Sequence, residues 1–325
     1  MIVTVPKADE ATSQVERLSF HGRGGDLFRL LIKNLLLTIV TIGIYSFWAK
    51  TDFRRYMHSQ LELQGDRFAY HGTARELLIG RLKALAYILL PLFVLRMVAM
   101  LANNLGLRIA LYAVIILLPF AILPLAITGS LRYRLGRTSW HGIRFSFRGR
   151  ARDLYQVFVP NALLTLVTFG FYLPVAWVRM ANFLASNVYF GNTPLEFEGK
   201  AAAIYGEYLA GIFLSYATLG IYGFWLQAHL ERFFWQNTSF GGTRFRSTQT
   251  GGGLMRLRLV NFFSSVFTLG FASAWIQVRT ARYRAEHLEI VGKLDLRSVK
   301  QEIQKAGALG DMVVDGSDMD FFLGV

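Results

Sequence analysis

The chain alternates short polar stretches with long apolar ones, and the apolar ones set its architecture. Six runs near 31–49, 84–104, 109–131, 157–178, 208–227 and 259–278 are largely uncharged. At about 20 residues each, such runs are long enough for roughly 30 Å of hydrocarbon. Ile109 to Leu131 and Tyr155 to Val178 contain no charged residue, whereas the first run is the shortest and carries Lys33 near its start. Soluble domains do not hold so many runs of this kind, so the pattern predicts a mainly α, multi-pass integral membrane protein. No apolar core with a small-residue cleavage site precedes Leu27, so targeting is expected to come from the hydrophobic segments themselves.

The runs also repeat, with a period of about 50 residues. Thr168, Thr218 and Thr268 stand one period apart, and each opens a Thr-x-Gly motif ending at Gly170, Gly220 or Gly270. Thr41 and Gly43 make a further copy near the N-terminus. A Trp follows in each copy: Trp48, Trp177, Trp225 and Trp275. Asn34, Asn161 and Asn261 stand two helical turns before their threonines, with Gly211 at that place in the other copy. Gly65, Gly142, Asn192, Gly242 and Gly292 mark turns. Around several of them lie alternating stretches such as Phe68-Ala69-Tyr70 and Phe145-Ser146-Phe147, the pattern of β-hairpins.

The sequence therefore reads as about five repeats of about 50 residues filling 20–300. The step from Gly72 to Gly149 is about one and a half periods. That surplus gives the second repeat an added span in place of Thr-x-Gly. Each repeat is expected to hold an apolar helix broken or ended at Thr-x-Gly, because Gly weakens and terminates helices. An interfacial helix, such as Trp48 to Leu61, and a short β-hairpin should follow. Residues 1–19 read as a polar N-terminal segment and 301–325 as an acidic C-terminal tail.

Composition narrows the functional classes. Hydrophobic residues make up 53% and charged residues 17%, against about 25% charged in soluble domains; the mean hydropathy is +0.36. With 35 Lys and Arg against 21 Asp and Glu, the net charge is +14. Arg interleaved with Trp and Tyr beside apolar spans suits anionic lipid headgroups, so membrane lipids are the expected partners and nucleic acid is not. The absence of Cys excludes disulfides, thiol catalysis and Cys-ligated metals. The six His show no pair at metal-ligand spacing. No nucleophile–base or paired-carboxylate arrangement is legible either. The expectation is a chain that is not an enzyme, with no catalytic, cofactor-binding or metal residues.

Polar residues at membrane depth are costly and mark candidate sites. Asn34, Asn161 and Asn261 line a cavity or an ion path on one reading and make interhelical hydrogen bonds on the other. Arg96 has no acidic residue within its run: it serves a substrate, or it snorkels toward the interface. Two crossing patterns stay open. Six single crossings split the cations almost evenly between the two sides, against the usual cytoplasmic bias. Re-entrant Thr-x-Gly segments, with only 84–104 and 109–131 crossing, put nearly every cation in the cytoplasm but need cover from neighbouring protein.

Several of these stretches together point to a family. Phe20 to Phe28 reads Phe-x-Gly-x-Gly-Gly-x-Leu-Phe, and Leu36 to Lys50 reads Leu-Leu-Thr-Ile-Val-Thr-Ile-Gly-Ile-Tyr-Ser-Phe-Trp-Ala-Lys. With Arg54-Arg55-Tyr56 and the run from Gly65 to Gly72, they resemble the YjgN family of bacterial inner-membrane proteins, over about residues 18–300. The resemblance implies a multi-pass protein of the bacterial inner (cytoplasmic) membrane and supplies no catalytic residues. The chain departs from the pattern at Gly211, where the Asn is missing, and at Ala272, which replaces the motif Tyr. Two functional classes follow: a transporter or channel for a small solute or ion, built from internal repeats and broken helices, or a non-catalytic scaffold presenting basic cytoplasmic hairpins to lipid or a partner.

Overall fold

A computed structural model describes residues 15–292 and residue 299; the acidic tail at 301–325 and most of the polar N-terminal segment lie outside the described residues. Each apolar run that contains Thr-x-Gly is two helices rather than one. Helices α1 (Gly24–Val40) and α2 (Ser46–Gln60) meet at the first motif. The later motifs join α6 (Ala151–Val167) to α7 (Leu173–Ser186), α8 (Ala201–Ala217) to α9 (Gly223–Gln236), and α10 (Gly251–Phe267) to α11 (Ser273–Glu286). Each leading helix has 17 residues, about 25 Å at the α-helical rise. The hydrophobic runs straddle the turns, with the larger part on the outgoing arm and the rest on the returning one.

The other two runs are continuous. Helix α3 (Ala74–Ala84) passes through a π-helical turn at Leu85–Leu89 into α4 (Leu90–Leu101). Pro91 follows that turn and has no N–H to offer the Tyr87 carbonyl, a usual cause of such a bulge. Together these segments make a 28-residue rod, Ala74–Leu101, and α5 (Leu105–Gly136) makes one of 32 residues. Among the described residues these are the two helices long and apolar enough to cross a membrane. At their base Arg137 forms an ion pair with Glu76, and the Tyr133 hydroxyl donates to Glu76 Oε2 at 3.2 Å. Thr73 and Glu76 close a capping box at the start of α3.

Short strands tie the helical excursions together. β2 (Ser19–Phe20) pairs with β3 (Leu61–Leu63) across α1–α2, Phe20 opposite Leu61. β5 (Ala69–Tyr70) pairs with β6 (Thr138–Trp140) across the long hairpin. β7 (Ile143–Phe147) pairs with β8 (Val188–Phe190) across α6–α7, and β9 (Thr193–Phe197) with β10 (Thr238–Phe240) across α8–α9. β11 (Thr243–Ser247) pairs with β12 (Leu288–Val291) across α10–α11. Every excursion thus leaves from one strand and returns to its hydrogen-bonded neighbour. Six single crossings are incompatible with that pairing, since both ends of each Thr-x-Gly segment sit on one face.

The helices expected at the interface do not stand alone. Helix α2 is the returning arm of a hairpin: it runs back along α1, and Asn34 Nδ2 donates to Ala49 O at 3.5 Å. Phe53, Tyr56 and Met57 of α2 pack into the cluster with Leu27 of α1 and Val278 of α11, while Trp48 stays exposed.

The strand pairing closes on itself. The turns at Gly65, Gly142, Asn192 and Gly242 make hairpins of β3 with β4 (Asp66–Arg67), β6 with β7, β8 with β9 and β10 with β11. β4 continues through Phe68 into β5, and β1 (Val15–Arg17) continues through Leu18 into β2. β1 pairs with β12, Glu16 opposite Ile290. The hairpins therefore do not stand apart: they form a nine-stranded antiparallel sheet running from β1 to β5 and a three-stranded one, β2-β3-β4. The continuity of β1 with β2 and of β4 with β5 joins the two into a ring. Its interior is filled by Leu63, Trp140, Phe190, Phe240 and Ile290, all buried, with Phe68, Phe145, Leu195 and Phe245 packed against them. Phe190 lies 5.6 Å from Trp140 and 5.8 Å from Phe240, ring centre to ring centre, within the range of favourable aromatic contact.

A buried carboxylate locks the seam between β1, β12 and β11. Glu289 Oε1 accepts from Arg17 Nε and Nη2 at 2.9 and 2.7 Å. Its Oε2 accepts from Arg246 Nε and Nη2 at the same distances. Burial alone pushes such a carboxyl up, but the two guanidinium groups outweigh it and hold Glu289 below its ordinary value.

Candidate membrane-facing site

The helical turns share one geometry, and it explains the Thr-x-Gly motif. Thr41 Oγ1 donates back to Leu37 O at 2.7 Å and accepts from Tyr45 N at 2.9 Å. One hydroxyl thus caps the end of α1 and the start of α2. Thr168, Thr218 and Thr268 make the same pair of bonds. Gly43 N closes the turn on Thr38 O at 2.7 Å, with equivalents at Gly170, Gly220 and Gly270. These glycines have φ of 88° to 90°, where a side chain is strained.

Between Thr and Gly stands an apolar residue that also adopts positive φ. Ile42, Phe169, Leu219 and Leu269 are 94%, 94%, 95% and 89% exposed. An apolar side chain held outward at the tip of a hairpin whose backbone polar groups are satisfied internally has the character of a surface built for hydrocarbon. The flanking Val40, Ile44, Val167, Phe171, Phe267 and Phe271 are exposed as well.

The tryptophans seal neighbouring units. A Cβ on Gly24 would lie 2.3 Å from Trp275, and one on Gly251 would lie 2.3 Å from Trp225, so each indole covers the first turn of the next outgoing helix. Gly251 and Gly253 thus have a packing role, the latter under Tyr283, and Thr250 caps that helix by accepting from Gly253 N. Trp48 is 40% exposed and stacks on Tyr45 at 6.0 Å. Trp177 falls slightly later in its unit and packs on Phe233 and Phe234 instead.

The candidate polar residues separate into distinct environments. Asn34 is buried and its Oδ1 has no hydrogen-bond partner. Asn161 is buried and accepts from Arg179 Nη1 at 3.3 Å. Asn261 accepts from Arg279 Nη1 at 2.9 Å and donates to Thr280 Oγ1 at 3.0 Å. Gly211 replaces the Asn where Leu226 fills its space: a Cβ there would sit 2.6 Å from the Leu226 side chain. Arg96 is exposed on the outer surface of α4, apart from these pairs.

Arg179 and Arg279 were not among the expected site residues, although each follows its Asn at the same spacing across the turn. Asp52 holds that register after Asn34. Between α6 and α7 the Asn161–Arg179 pair lines a cleft of about 440 Å³ with Gln156, Pro160, Asn182 and Ser186. A shallower apolar groove of about 540 Å³ runs along α1 beside Arg29 and Lys33. No cluster of metal-ligating side chains is found among the described residues.

Comparison with known proteins places this architecture. Residues 15–224 and 227–316 match the family described as bacterial protein of unknown function (DUF898). Inner membrane protein YjgN of Salmonella typhimurium is 28% identical over 177 residues, 54% of this chain and 42% of that protein. YjgN of Escherichia coli O157:H7 is 31% identical, and that of strain K12 30% identical, each over 143 residues. Those alignments cover 43% of this chain and 34% of either protein, so the chain spans well under two thirds of these relatives. No solved structure matches. The chain belongs to the DUF898 family and is a protein of the bacterial inner membrane.

Proposed function

We propose that the chain is a multi-pass membrane protein of five repeats of about 50 residues that works as a one-sided, non-catalytic scaffold. The observation that carries this reading is the closed ring: every helical unit begins and ends on adjacent strands of it. The ring therefore gathers the hairpins to one face, while only α3–α4 and α5 continue across. The four short hairpins reach up to about 25 Å and end in apolar tips, so they enter the bilayer and return. Apart from Arg96 and Arg108, all described Lys and Arg lie before Ala84 or after Leu131 in the chain, in segments that begin and end on the ring. Such a bias supports a cytoplasmic ring. Arg96 and Arg108 then face the opposite headgroups near the tip of the long hairpin.

Transport has less support. A carrier holds its substrate near the midplane between repeats, whereas the axis of this ring is filled by Trp140, Phe190, Phe240 and their neighbours. The natural partners of a basic face beneath inserted hairpins are anionic lipid headgroups and a cytoplasmic protein.

Single-cysteine labelling tests the topology on the Cys-free background. Cysteines at Gly65, Asn104, Gly142, Asn192, Gly242 and Gly292 meet a membrane-impermeant thiol reagent from the periplasm. Labelling at Asn104 alone is expected. Joint labelling at Asn104, Asn192 and Gly292 would restore alternating crossings and overturn the one-sided scaffold.

A further inference from the structure

We infer that the cleft between α6 and α7 binds the phosphodiester of a glycerophospholipid headgroup, with Arg179 as its principal ligand. The inference rests on the hairpins sitting in lipid, and it is carried by a comparison internal to the chain. The pair Asn261–Arg279 occupies the same positions in α10–α11, and there the Asn261 amide and Arg279 Nη1 find additional protein acceptors. Asn261 Nδ2 bonds Thr280 Oγ1 at 3.0 Å, and Arg279 Nη1 also reaches Ser264 Oγ at 3.5 Å. In α6–α7 those two positions are Met180 and Leu164, which offer no acceptor. Arg179 is left with one bond to Asn161 and a place over the Tyr172 ring at 5.7 Å. The remaining guanidinium N–H groups and the Asn161 amide face a cleft with no protein acceptor assigned to them among the described residues.

The lining decides the chemistry. Among the described residues Arg179 is the one charged side chain of the cleft, and no carboxylate lines it. The side-chain amides of Gln156 and Asn182 add donors, and Val157, Pro160 and Phe183 form an apolar wall. A cation with neutral donors selects an anion, and a guanidinium matches a phosphate with paired N–H groups. The volume of about 440 Å³ falls in the range of small-molecule sites. Asn161 stands two helical turns before the turn residue Thr168, about 10 Å below the tip. A lipid whose chains lie beside the exposed outer face of α6 would bring its phosphate to that level.

The full chain is purified in mild detergent, exposed to phosphatidylglycerol, and its bound lipid read by native mass spectrometry. Arg179→Gln should lower phosphatidylglycerol occupancy about tenfold or more, the range of a charge-assisted contact. Arg279→Gln should leave occupancy unchanged. Asn161→Asp, which places a carboxylate in the cleft, should lower it independently. Equal losses in the two arginine variants, or none in either, would overturn the assignment. So would displacement of the lipid by millimolar inorganic phosphate, which would make free phosphate the ligand. A wild-type protein that binds no lipid while an Asn104→Cys variant alone labels from the periplasm refutes the cleft and leaves the topology standing. Labelling at Asn192→Cys and Gly292→Cys as well would refute the topology itself.

Discussion

Replacing Glu289 with Gln should loosen the seam where the two ends of the described chain meet. The carboxylate accepts four hydrogen bonds of 2.7 to 2.9 Å from Arg17 and Arg246, and its side chain is 2% exposed. Breaking a fully buried ion pair costs about 3–5 kcal/mol, because the surviving charge is stranded. Here the survivors are not stranded: the Arg17 and Arg246 side chains are 66% and 51% exposed and return to water. An amide oxygen also retains part of the acceptor capacity. The expected cost is therefore about 2–3 kcal/mol, which raises local opening about 30- to 150-fold. Hydrogen exchange in detergent reads it directly at the amides of Val15–Arg17 and Leu288–Val291.

The same site fixes a pH dependence. The folded Glu289 carboxyl titrates below its ordinary 4.5, so its contribution is complete above that value and is lost as pH falls through the folded value. Wild-type seam protection should thus decline in acid, and the Gln variant should lack this component. Exchange in the variant within about twofold of wild type, with global stability unchanged, would refute the closing role assigned to the carboxylate.

Two further perturbations address the hairpin turn and a buried base. Thr218→Val removes both bonds that cap the Leu214 carbonyl and the Tyr222 amide, costing about 1–3 kcal/mol; Gly220→Ala, at φ 90°, should cost about 1–2 kcal/mol. Thermal unfolding in detergent checks both, and a neutral Gly220→Ala would contradict the strained turn. Burial pushes the His58 imidazole down to about 4, so folding favours its neutral form. Its unfolded counterpart takes up a proton near 6.5, so stability should fall between pH 6.5 and about 4 by up to about 3 kcal/mol. His58→Gln should flatten that part of the melting-temperature profile.

The break at Thr-x-Gly was legible in the sequence, but its direction was not. A run such as 157–178 has the same hydropathy whether it crosses or folds back at Phe169. The shared spacing of Arg179 and Arg279 after Asn161 and Asn261 does not discriminate either, since about five full turns of one straight helix would also put each pair on one face. The contact across the turn appears only in the structure. The returning arms read as interfacial helices because Trp48 and its basic neighbours suit a headgroup layer equally well. The alternating strands were visible at Phe68-Ala69-Tyr70, yet elements as short as β5 carry too little pattern to specify partners. The ring's closure did leave a trace. Phe20-His21-Gly22 stands one period before Tyr70-His71-Gly72, marking the start of the chain as the second strand of a hairpin whose first strand comes last. The aromatic and its glycine also vary together: Phe20, Tyr70, Phe147 and Phe197 cover Gly22, Gly72, Gly149 and Gly199, and where Ser247 replaces the aromatic, Gln249 replaces the glycine.

The pairing of strands across each excursion also sets an order of assembly during synthesis. Phe145 and Phe190 are opposite one another and separated by a single hairpin, so that unit closes soon after its second arm is made. Glu16 and Ile290 are also opposite one another, but nearly the whole described chain lies between them. Closing a loop roughly six times longer costs about 1.6 kcal/mol more in chain entropy. The first strand therefore waits until nearly all of the described chain is made, whereas β11 waits only for the α10–α11 hairpin that separates it from β12. A chain shortened before Leu288 leaves two open strand edges in place of a continuous ring, and such edges recruit strands from other molecules.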